Sequence, residues 1–170
     1  MRKLNIQQVS QLAQAVSIDH REPLMIWGQP GVGKSEVIAQ LTEQNNAMLV
    51  DVRLSQYDSV DLRGIPVPVE AEHLTIWHAP ATLPFLGNPA FPDDRLIVLF
   101  LDEINSASPS VAAVAYQLIN DRRVGEHMLK DNVRVIAAGN RESDRGVTSR
   151  MPTPLANRFT HVEVEVDVEA

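Results

Sequence analysis

The sequence contains no cysteine among its 170 residues. This absence excludes disulfides, zinc–thiolate sites and thiol nucleophiles. Aromatic residues are also scarce, at 5% of the chain. The two tryptophans, Trp27 and Trp77, are too isolated to form a stacking platform for single-stranded nucleic acid, and core packing is their expected role.

Basic residues and long apolar runs are limited as well. The chain has 15 lysines and arginines against 22 acidic residues, a formal net charge of −7. This balance disfavours a whole-domain contact with nucleic acid, which requires a clustered basic face. The longest strongly apolar run, residues 96–101, is far too short to cross a bilayer, and residues 1–4 do not begin a signal peptide. We therefore expect a cytoplasmic protein without a membrane segment.

Short apolar segments alternate with helical patterns along the chain, which predicts an α/β sandwich with a mainly parallel sheet in one domain, residues 1–170. Valines alternate with acidic residues over residues 162–168, which indicates a half-buried strand at a sheet edge. The other predicted strands are residues 24–27, 47–52, 96–101 and 133–138, and the predicted helices are residues 6–18, 33–41 and 108–121.

The pattern is looser between residues 55 and 94, where six of the eleven prolines lie. Residues 75–78 alternate briefly between apolar and polar side chains, as one arm of a hairpin does. We interpret this region as an irregular insertion that carries a hairpin and a short helix.

One segment fits the phosphate-binding pattern G-x-x-x-x-G-K-[ST] at every fixed position, between an apolar strand and a helix. Its glycines allow backbone N–H groups to point at phosphate oxygens, next to the positive end of a helix. Lys34 would reach the β- and γ-phosphates, and the Ser35 hydroxyl would bind Mg²⁺. The alternative is a glycine-rich turn that happens to carry Lys-Ser. The predicted binding residues are Gly28, Gln29, Pro30, Gly31, Val32, Gly33, Lys34, Ser35 and Glu36.

Two acidic residues, Asp102 and Glu103, follow the apolar run of residues 96–101. Ligands of open parallel sheets bind at the carboxyl ends of the strands, where this pair is expected to lie. Asp102 would hold Mg²⁺, directly or through water, and Glu103 would deprotonate the water that attacks the γ-phosphate. The second carboxylate favours hydrolysis over transfer to an acceptor by a kinase. The alternative is a solvated acidic turn that caps the next helix.

Asn140 follows another apolar strand and is preceded by glycine. A short amide at a strand tip could touch both the γ-phosphate and the attacking water. From spacing alone, a simple turn residue is the favoured interpretation, because Gly-Asn favours turns.

Six segments together resemble one family: residues 28–35, 61–66, 77–84, 96–103, 135–140 and 154–159. They resemble AAA+ ATPases, specifically the MoxR-like and dynein-related branch, in the family's order. The Asp-Leu-Arg-Gly run at residues 61–64 and the Asn-Arg-Phe run at residues 157–159 point to this branch. The resemblance implies a P-loop three-layer sandwich with a mainly parallel five-stranded sheet and a hairpin insertion that faces the pore or a partner.

The resemblance also implies roles for single residues. Asn140 matches the polar sensor of the family, which reverses the preference for a turn residue. Arg158 matches the arginine that reaches the γ-phosphate of a neighbouring subunit, and Arg150 is a second candidate for this role. The alternative for both arginines is a surface or salt-bridge role.

The family continues into a helical lid with a second sensor arginine. This sequence stops just after residues 162–168, so we expect either that the lid has been removed or that the protein works without one. Residues 6–18 are a candidate source of adenine contacts, although an apolar face of this kind is more often plain core. The resemblance implies ATP and Mg²⁺ as ligands, and a homo-oligomeric ring, expected to be a hexamer. Its expected partner is a protein, for which one carrying a von Willebrand A domain is a candidate.

The leading hypothesis is therefore a Mg²⁺-dependent ATPase that remodels or activates a partner protein. The alternatives are a nucleotide-gated binding module with negligible turnover, a small-molecule kinase and a DNA-linked motor. The acidic pair argues against the kinase, and the negative net charge argues against the DNA motor.

Overall fold

The computed structural model describes residues 1–140 and 157–165, and the fold is given for these residues. The strands are β1 Arg2–Leu4, β2 Leu24–Trp27, β3 Met48–Arg53, β4 Ile65–Val69, β5 Leu74–His78, β6 Ile97–Asp102, β7 Arg123–Val124, β8 His127–Met128, β9 Val133–Gly139 and β10 Thr160–Val164. The α-helices are α1 Ile6–Ala13, α2 Lys34–Gln44, α3 Ser59–Arg63 and α4 Pro109–Asp121, and a π-helical segment, Gln14–Asp19, continues α1.

Six parallel strands form the central sheet in the order β1-β10-β2-β9-β6-β3. The α/β class and the parallel sheet predicted from the sequence are confirmed, but the predicted count of five strands is wrong. The missed strand is β1, which has three residues, two of them basic, and therefore shows no periodicity.

The predicted edge position of the last strand is also wrong. β10 lies between β1 and β2, and β1 covers the side on which an edge was expected. Val162 and Val164 point into a core, and the intervening Glu163 is also buried. Alternation reports the polarity of the two faces of a strand, not its place in the sheet. Residues 166 and 168 of the predicted strand lie outside the described residues.

Both faces of the sheet are covered, which gives the three layers. Val98 and Phe100 pack toward α1 and α2 in one core, and Leu99 and Leu101 pack toward α4 in the other. All six residues of β6 are buried, as the continuous apolar run predicts. Among the described residues, no helix has both the length and the apolar character needed to cross a membrane.

Side-chain caps mark the beginnings of two helices. Ser108 caps α4 by accepting a hydrogen bond from the Val111 N–H at 3.4 Å, and Pro109 occupies the first helical position. Asn5 caps α1 in a reciprocal pair with Gln8. Because α1 and α4 run back from the carboxyl end of the sheet, their last residues lie near its amino end.

The insertion contains the predicted short helix, α3, and the predicted hairpin, β4–β5. Gly64 connects them with φ of 82°, and a Cβ atom there would lie 1.8 Å from the His78 carbonyl oxygen. Only glycine therefore fits this junction. Pro66 and Pro68 alternate along β4. Since proline has no N–H, both must occupy positions whose N–H would point away from β5.

A second, very short hairpin, β7–β8, follows α4 and was not predicted. Its two-residue strands are too short for any alternation to appear in the sequence. It is joined to the insertion by a bridge between Phe85 and Leu129.

Candidate functional site

The carboxyl ends of β2, β6 and β9 meet at one edge of the sheet. The predicted phosphate loop follows β2, and the Gly28 N–H donates a hydrogen bond of 3.3 Å to the Gly139 carbonyl at the end of β9. Gly31 and Gly33 have φ of 78° and 94°, in the left-handed region that glycine adopts at little cost. The loop therefore turns back so that α2 begins at Lys34 with its N-terminal N–H groups facing the cleft.

Lys34 is buried at the floor of this cleft, with 8% of its surface exposed. Its Nζ donates to the carbonyl oxygens of Gly28 at 2.8 Å and Gln29 at 2.9 Å, and to Asn140 Oδ1 at 3.3 Å. These bonds hold the ammonium group in the middle of the loop. The first residues of the loop and the tip of β9 thus meet at one cation.

Oxygen atoms from two elements meet beside the lysine. Ser35 Oγ, on α2, donates to Asp102 Oδ2, at the end of β6, over 3.2 Å. Mg²⁺ prefers oxygen ligands and is usually bound by one or two protein groups together with phosphate and water. Ser35 Oγ and Asp102 Oδ2 would supply two such protein oxygens. Within residues 1–140 and 157–165, no cluster of three or more histidine or acidic side chains could hold a metal alone.

Glu103 adopts a left-handed backbone conformation, with φ of 56°. This conformation is costly for a residue with a side chain, by about 1–3 kcal/mol, and such strain is concentrated at functional sites. The Glu103 N–H donates to Asp102 Oδ1 at 2.8 Å, and the Ser55 hydroxyl donates to Glu103 Oε2. The conformation therefore directs the two adjacent carboxylates to different partners.

Asn140 is fixed by a reciprocal pair of hydrogen bonds. Asn105 Nδ2 donates to the Asn140 carbonyl at 2.6 Å, and the Asn140 N–H donates to Asn105 Oδ1 at 3.1 Å. Gly139 leaves room for this pair, because a Cβ atom there would lie 2.8 Å from Asn105 Oδ1. The Asn140 side chain is thereby directed at Lys34.

A cavity of about 240 Å³ collects these groups. It is lined by Pro30, Gly31, Gly33, Lys34, Ser35, Glu36, Arg53, Asp102, Glu103 and Asn140. Of the other predicted binding residues, Gly28 and Gln29 lie behind Lys34, and Val32 packs on the core. Ile6, at the start of α1, is 39% exposed and lies beside Gly33.

Sequence reasoning missed three residues at this site. Arg53 lines the cavity, Ser55 contacts Glu103, and Asn105 holds Asn140. Arg53 ends β3, which neighbours β6, so its place at the carboxyl ends could have been inferred from the strand order. No local pattern distinguishes Ser55 or Asn105 from ordinary loop residues.

Asp51, on β3, adds a carboxyl group near Asp102. Burial, and then the negative charge of Asp102, raise the pKa of the Asp51 carboxyl above its ordinary value of 3.8, while Arg53 acts in the opposite direction. The carboxylates at this end of the sheet therefore repel each other. A bound cation would relieve that repulsion.

The predicted trans arginines are not part of this cluster. Arg158 is exposed and precedes β10, at the amino end of the sheet beside Pro23. Arg150 lies outside the described residues. A larger cavity, of about 510 Å³, lies between the insertion and α4 and is lined in part by Arg63 and Trp77. It carries no phosphate loop, so the smaller cavity is the better nucleotide site.

The profile of the AAA domain (dynein-related subfamily) matches residues 23–159 of the chain. The chain belongs to this family. The matched part of the AAA domain includes the phosphate loop, the acidic pair and Asn140.

Two curated relatives are midasins. This AAA domain is 31% identical to midasin of Giardia intestinalis over 160 residues, which cover 89% of the chain and 3% of that protein. It is 28% identical to midasin of Dictyostelium discoideum over 152 residues, which cover 84% of the chain and 2% of that protein. The chain thus spans only a small fraction of either relative.

The fold of this AAA domain is also found in a solved structure. The crystal structure of a candidate ATPase from Cytophaga hutchinsonii matches with a TM-score of 0.64 at 15% identity, over 94% of this chain and 46% of that chain. At this identity the match shows the fold alone, which agrees with the P-loop sandwich expected from the sequence.

Proposed function

We propose that this AAA domain binds ATP with Mg²⁺, hydrolyses its β–γ phosphoanhydride bond, and uses the cycle to remodel or activate a partner protein, as MoxR-like members do. One observation carries the proposal. The Lys34 ammonium group, the Ser35–Asp102 oxygen pair and the Glu103 carboxylate open onto the same cavity.

Binding rests on the loop and its lysine. The N–H groups of the loop and of the first turn of α2 would donate to phosphate oxygens. Lys34 adds a positive charge that its hydrogen bonds to Gly28 and Gln29 hold in position, so little side-chain entropy is lost when the nucleotide binds. Ser35 and Asp102 would hold Mg²⁺, which supplies charge neutralisation at the phosphate oxygens.

Hydrolysis rests on Glu103. Its carboxylate would accept a proton from a water molecule as the water oxygen bonds to the γ-phosphorus. The bond from the γ-phosphorus to the bridging oxygen breaks, and ADP and phosphate are the products. Asn140 would position the water and the γ-phosphate. Arg158 of a neighbouring copy would stabilise the charge on the transferring group.

Action on a partner is supported by the insertion. Ile65, Leu74 and Ile76 lie on one face of the β4–β5 hairpin and are 63%, 56% and 42% exposed. Exposed aliphatic groups on one face are typical of a surface that contacts another protein. The expected ring of copies and a partner with a von Willebrand A domain belong to this proposal.

Steady-state ATP hydrolysis by the purified protein and by Glu103→Gln tests the reaction. We expect Glu103→Gln to bind ATP normally but to turn over about 10²–10⁴-fold more slowly, because a general base is lost while the phosphate contacts stay. Glu43→Gln, on the exposed side of α2, is the matched control and should keep the wild-type rate. Equal rates for wild type and Glu103→Gln would refute the assigned mechanism.

A further inference from the structure

The larger cavity, of about 510 Å³, shares no lining residue with the nucleotide site. Its volume falls within the range of about 300–1,000 Å³ that binding pockets usually have. The insertion contributes Arg63 and Trp77, α4 contributes Val114 and Gln117, and the β7–β8 hairpin contributes residues 124–127. We name this cavity the Arg63 pocket. None of these residues takes part in the proposed hydrolysis of ATP, so the pocket is available for a different ligand.

The turn at Gly64 brings Arg63 to Trp77. Arg63 is the last residue of α3, and a Cβ atom at Gly64 would lie only 1.8 Å from the carbonyl oxygen of His78. The end of α3 therefore lies directly against the end of β5. The guanidinium carbon of Arg63 lies over the Trp77 ring, 4.9 Å from its centre. The Asp-Leu-Arg-Gly run of residues 61–64 thus forms a cation–π pair at the pocket.

The contact with Trp77 leaves Arg63 able to bind an anion. A guanidinium group carries five N–H donors in a planar fork, and one aromatic contact cannot use them all. Within residues 1–140 and 157–165, the ion pairs are Lys3–Glu165 and Lys130–Asp93, so no carboxylate of this part of the chain neutralises Arg63. The ring also restrains the long arginine side chain, which lowers the entropy lost when a ligand binds.

His127 supplies a second polar group at the pocket. Its Nε2 atom is buried and has no hydrogen-bond partner among the described residues. The imidazole ring packs against Phe85, with the two ring centres 5.7 Å apart, so its position is fixed. A buried polar atom without a partner costs about 1–3 kcal/mol. An oxygen atom of a ligand that accepts a hydrogen bond from Nε2 would remove this cost.

The rest of the wall is apolar, and one side is open. Val114 and Val124 line the pocket next to Trp77, and an apolar wall strengthens the interaction of Arg63 with a negative charge. No atom lies within 4 Å of the position that a Cβ atom of Gly125 would take, so a polypeptide could leave the pocket past this residue. The pocket therefore suits a carboxylate that stands beside an apolar group on an extended chain.

We propose that the Arg63 pocket is a docking site for an aspartate or glutamate side chain of the partner protein, flanked in that partner by an apolar residue. The carboxylate would accept two hydrogen bonds from Arg63, and His127 would donate to a main-chain carbonyl of the partner. The apolar neighbour would pack against Trp77 and Val114.

This inference rests on the proposed action on a partner protein and names the chemistry that the partner presents. It concerns a different surface from the exposed aliphatic face of the β4–β5 hairpin. Successive side chains of a strand point to opposite faces, so Trp77 and the exposed Ile76 lie on opposite faces of β5.

Selection from a phage-displayed library of random heptapeptides tests the chemistry of the occupant. The target is the whole chain without nucleotide, and Arg63→Gln is screened in parallel. We expect the peptides enriched on the wild type to carry aspartate or glutamate beside an aliphatic or aromatic residue, and not to be enriched on Arg63→Gln. Enriched peptides without an acidic residue, or no enrichment at all, would overturn the proposal.

An NMR titration with the most enriched peptide locates the contact. The indole N–H signal of Trp77 should shift saturably, whereas that of Trp27, beside the phosphate loop, should not. Arg63→Gln should weaken binding by about tenfold or more, because a charge-assisted pair of hydrogen bonds is lost. His127→Phe keeps a ring beside Phe85 and should weaken binding by about two- to tenfold. The exposed Arg2→Gln, on β1, is the matched control and should change nothing.

Two further probes separate the possible outcomes. The same peptide with its acidic residue replaced by the amide should bind about tenfold more weakly or worse, and equal binding would overturn the carboxylate contact. Acetyl-glutamate that binds as tightly as the peptide would overturn a partner protein as occupant. Neither measurement requires ATP. Peptide binding without turnover would therefore refute the hydrolysis proposal alone, and turnover without peptide binding would overturn this inference alone.

Discussion

The two ends of the central sheet differ in charge and in construction. At the carboxyl end, the cavity is formed mainly by short stretches of residues at the ends of β2, β6 and β9, together with Arg53 at the end of β3. At the amino end, a cavity of about 200 Å³ is lined by residues from four separate segments, three of which contribute an arginine: Arg21, Arg122 and Arg158. The first end is suited to enclose a nucleotide, whereas the second presents mainly arginine side chains.

Substitutions at the two ends of the sheet should therefore have different effects. A change at the carboxyl end should affect nucleotide binding or chemistry within one copy. A change at the amino end should leave binding intact and affect only what depends on a second copy.

Of the four substitutions that follow, Arg158→Gln should have the largest effect. We expect the rate of ATP hydrolysis to fall by about 10³-fold with ATP affinity unchanged, because a cation supplied in trans stabilises the transition state and not the ground state. Turnover and binding are measured separately, with Arg123→Gln as the control of equal charge change. A loss of affinity at unchanged turnover would show that Arg158 acts on the nucleotide of its own chain.

Lys34→Ala, in contrast to Arg158→Gln, should weaken ATP binding. We expect ATP affinity to fall by about 10²-fold, because a charge-assisted contact to phosphate is lost from a cleft that cannot replace it. The measurement is a fluorescent-nucleotide titration, and melting without nucleotide reports on the fold. Unchanged affinity would mean that the backbone of the loop is sufficient for binding.

Gly139→Ala should destabilise the carboxyl end through packing alone. The added methyl group would lie 2.8 Å from Asn105 Oδ1 and 2.9 Å from Met25 Cε, so the free energy of unfolding should fall by about 1–3 kcal/mol. Urea unfolding measures the change. In an Asn105→Ala background the cost should be smaller, and an equal cost would show that Asn105 is not the obstacle.

Asp51→Asn should have the smallest effect, and it should stabilise the folded protein, whereas the other substitutions impair stability or function. Since the folded-state pKa of Asp51 is raised, its ionisation disfavours the folded state, and stability falls as pH rises above the unfolded value. We expect a small increase in Tm at pH 7 that disappears below about pH 3.8, which is measured by melting across this range. Saturating Mg²⁺ should reduce the increase at pH 7, and a gain that persists in acid would refute the electrostatic cause.

The sequence predicted the carboxyl end well because its signals are local. The glycine loop and the acidic pair each follow an apolar run, and parallel strands bring their carboxyl ends to one edge whatever their order. Asn140 also follows such a run, but spacing alone favoured a turn residue there, and the family resemblance identified it. Asn105 was not predicted, because only the fold brings it to Asn140.

Features that depend on strand order or distant contacts could not be predicted. The interior place of β10 follows from pairing with β1, a strand too short to show a pattern. The family resemblance singled out Arg158, but no sequence pattern indicated that Arg21 and Arg122 would lie at the same cavity. The left-handed backbone conformation of Arg21 and Arg122 is seen only in the structure, because the sequence does not distinguish these arginines from others.

The prolines of β4 limit strand-to-strand association between copies of this chain. A free strand edge is a template for amyloid-like growth, and aggregation becomes more favourable when many copies are brought into close contact. Pro66 and Pro68 remove both donors from the outer edge of β4, so no incoming strand can complete a ladder there. The hairpin can therefore keep Ile65 and Val67 available to another protein while blocking cross-β growth along this edge.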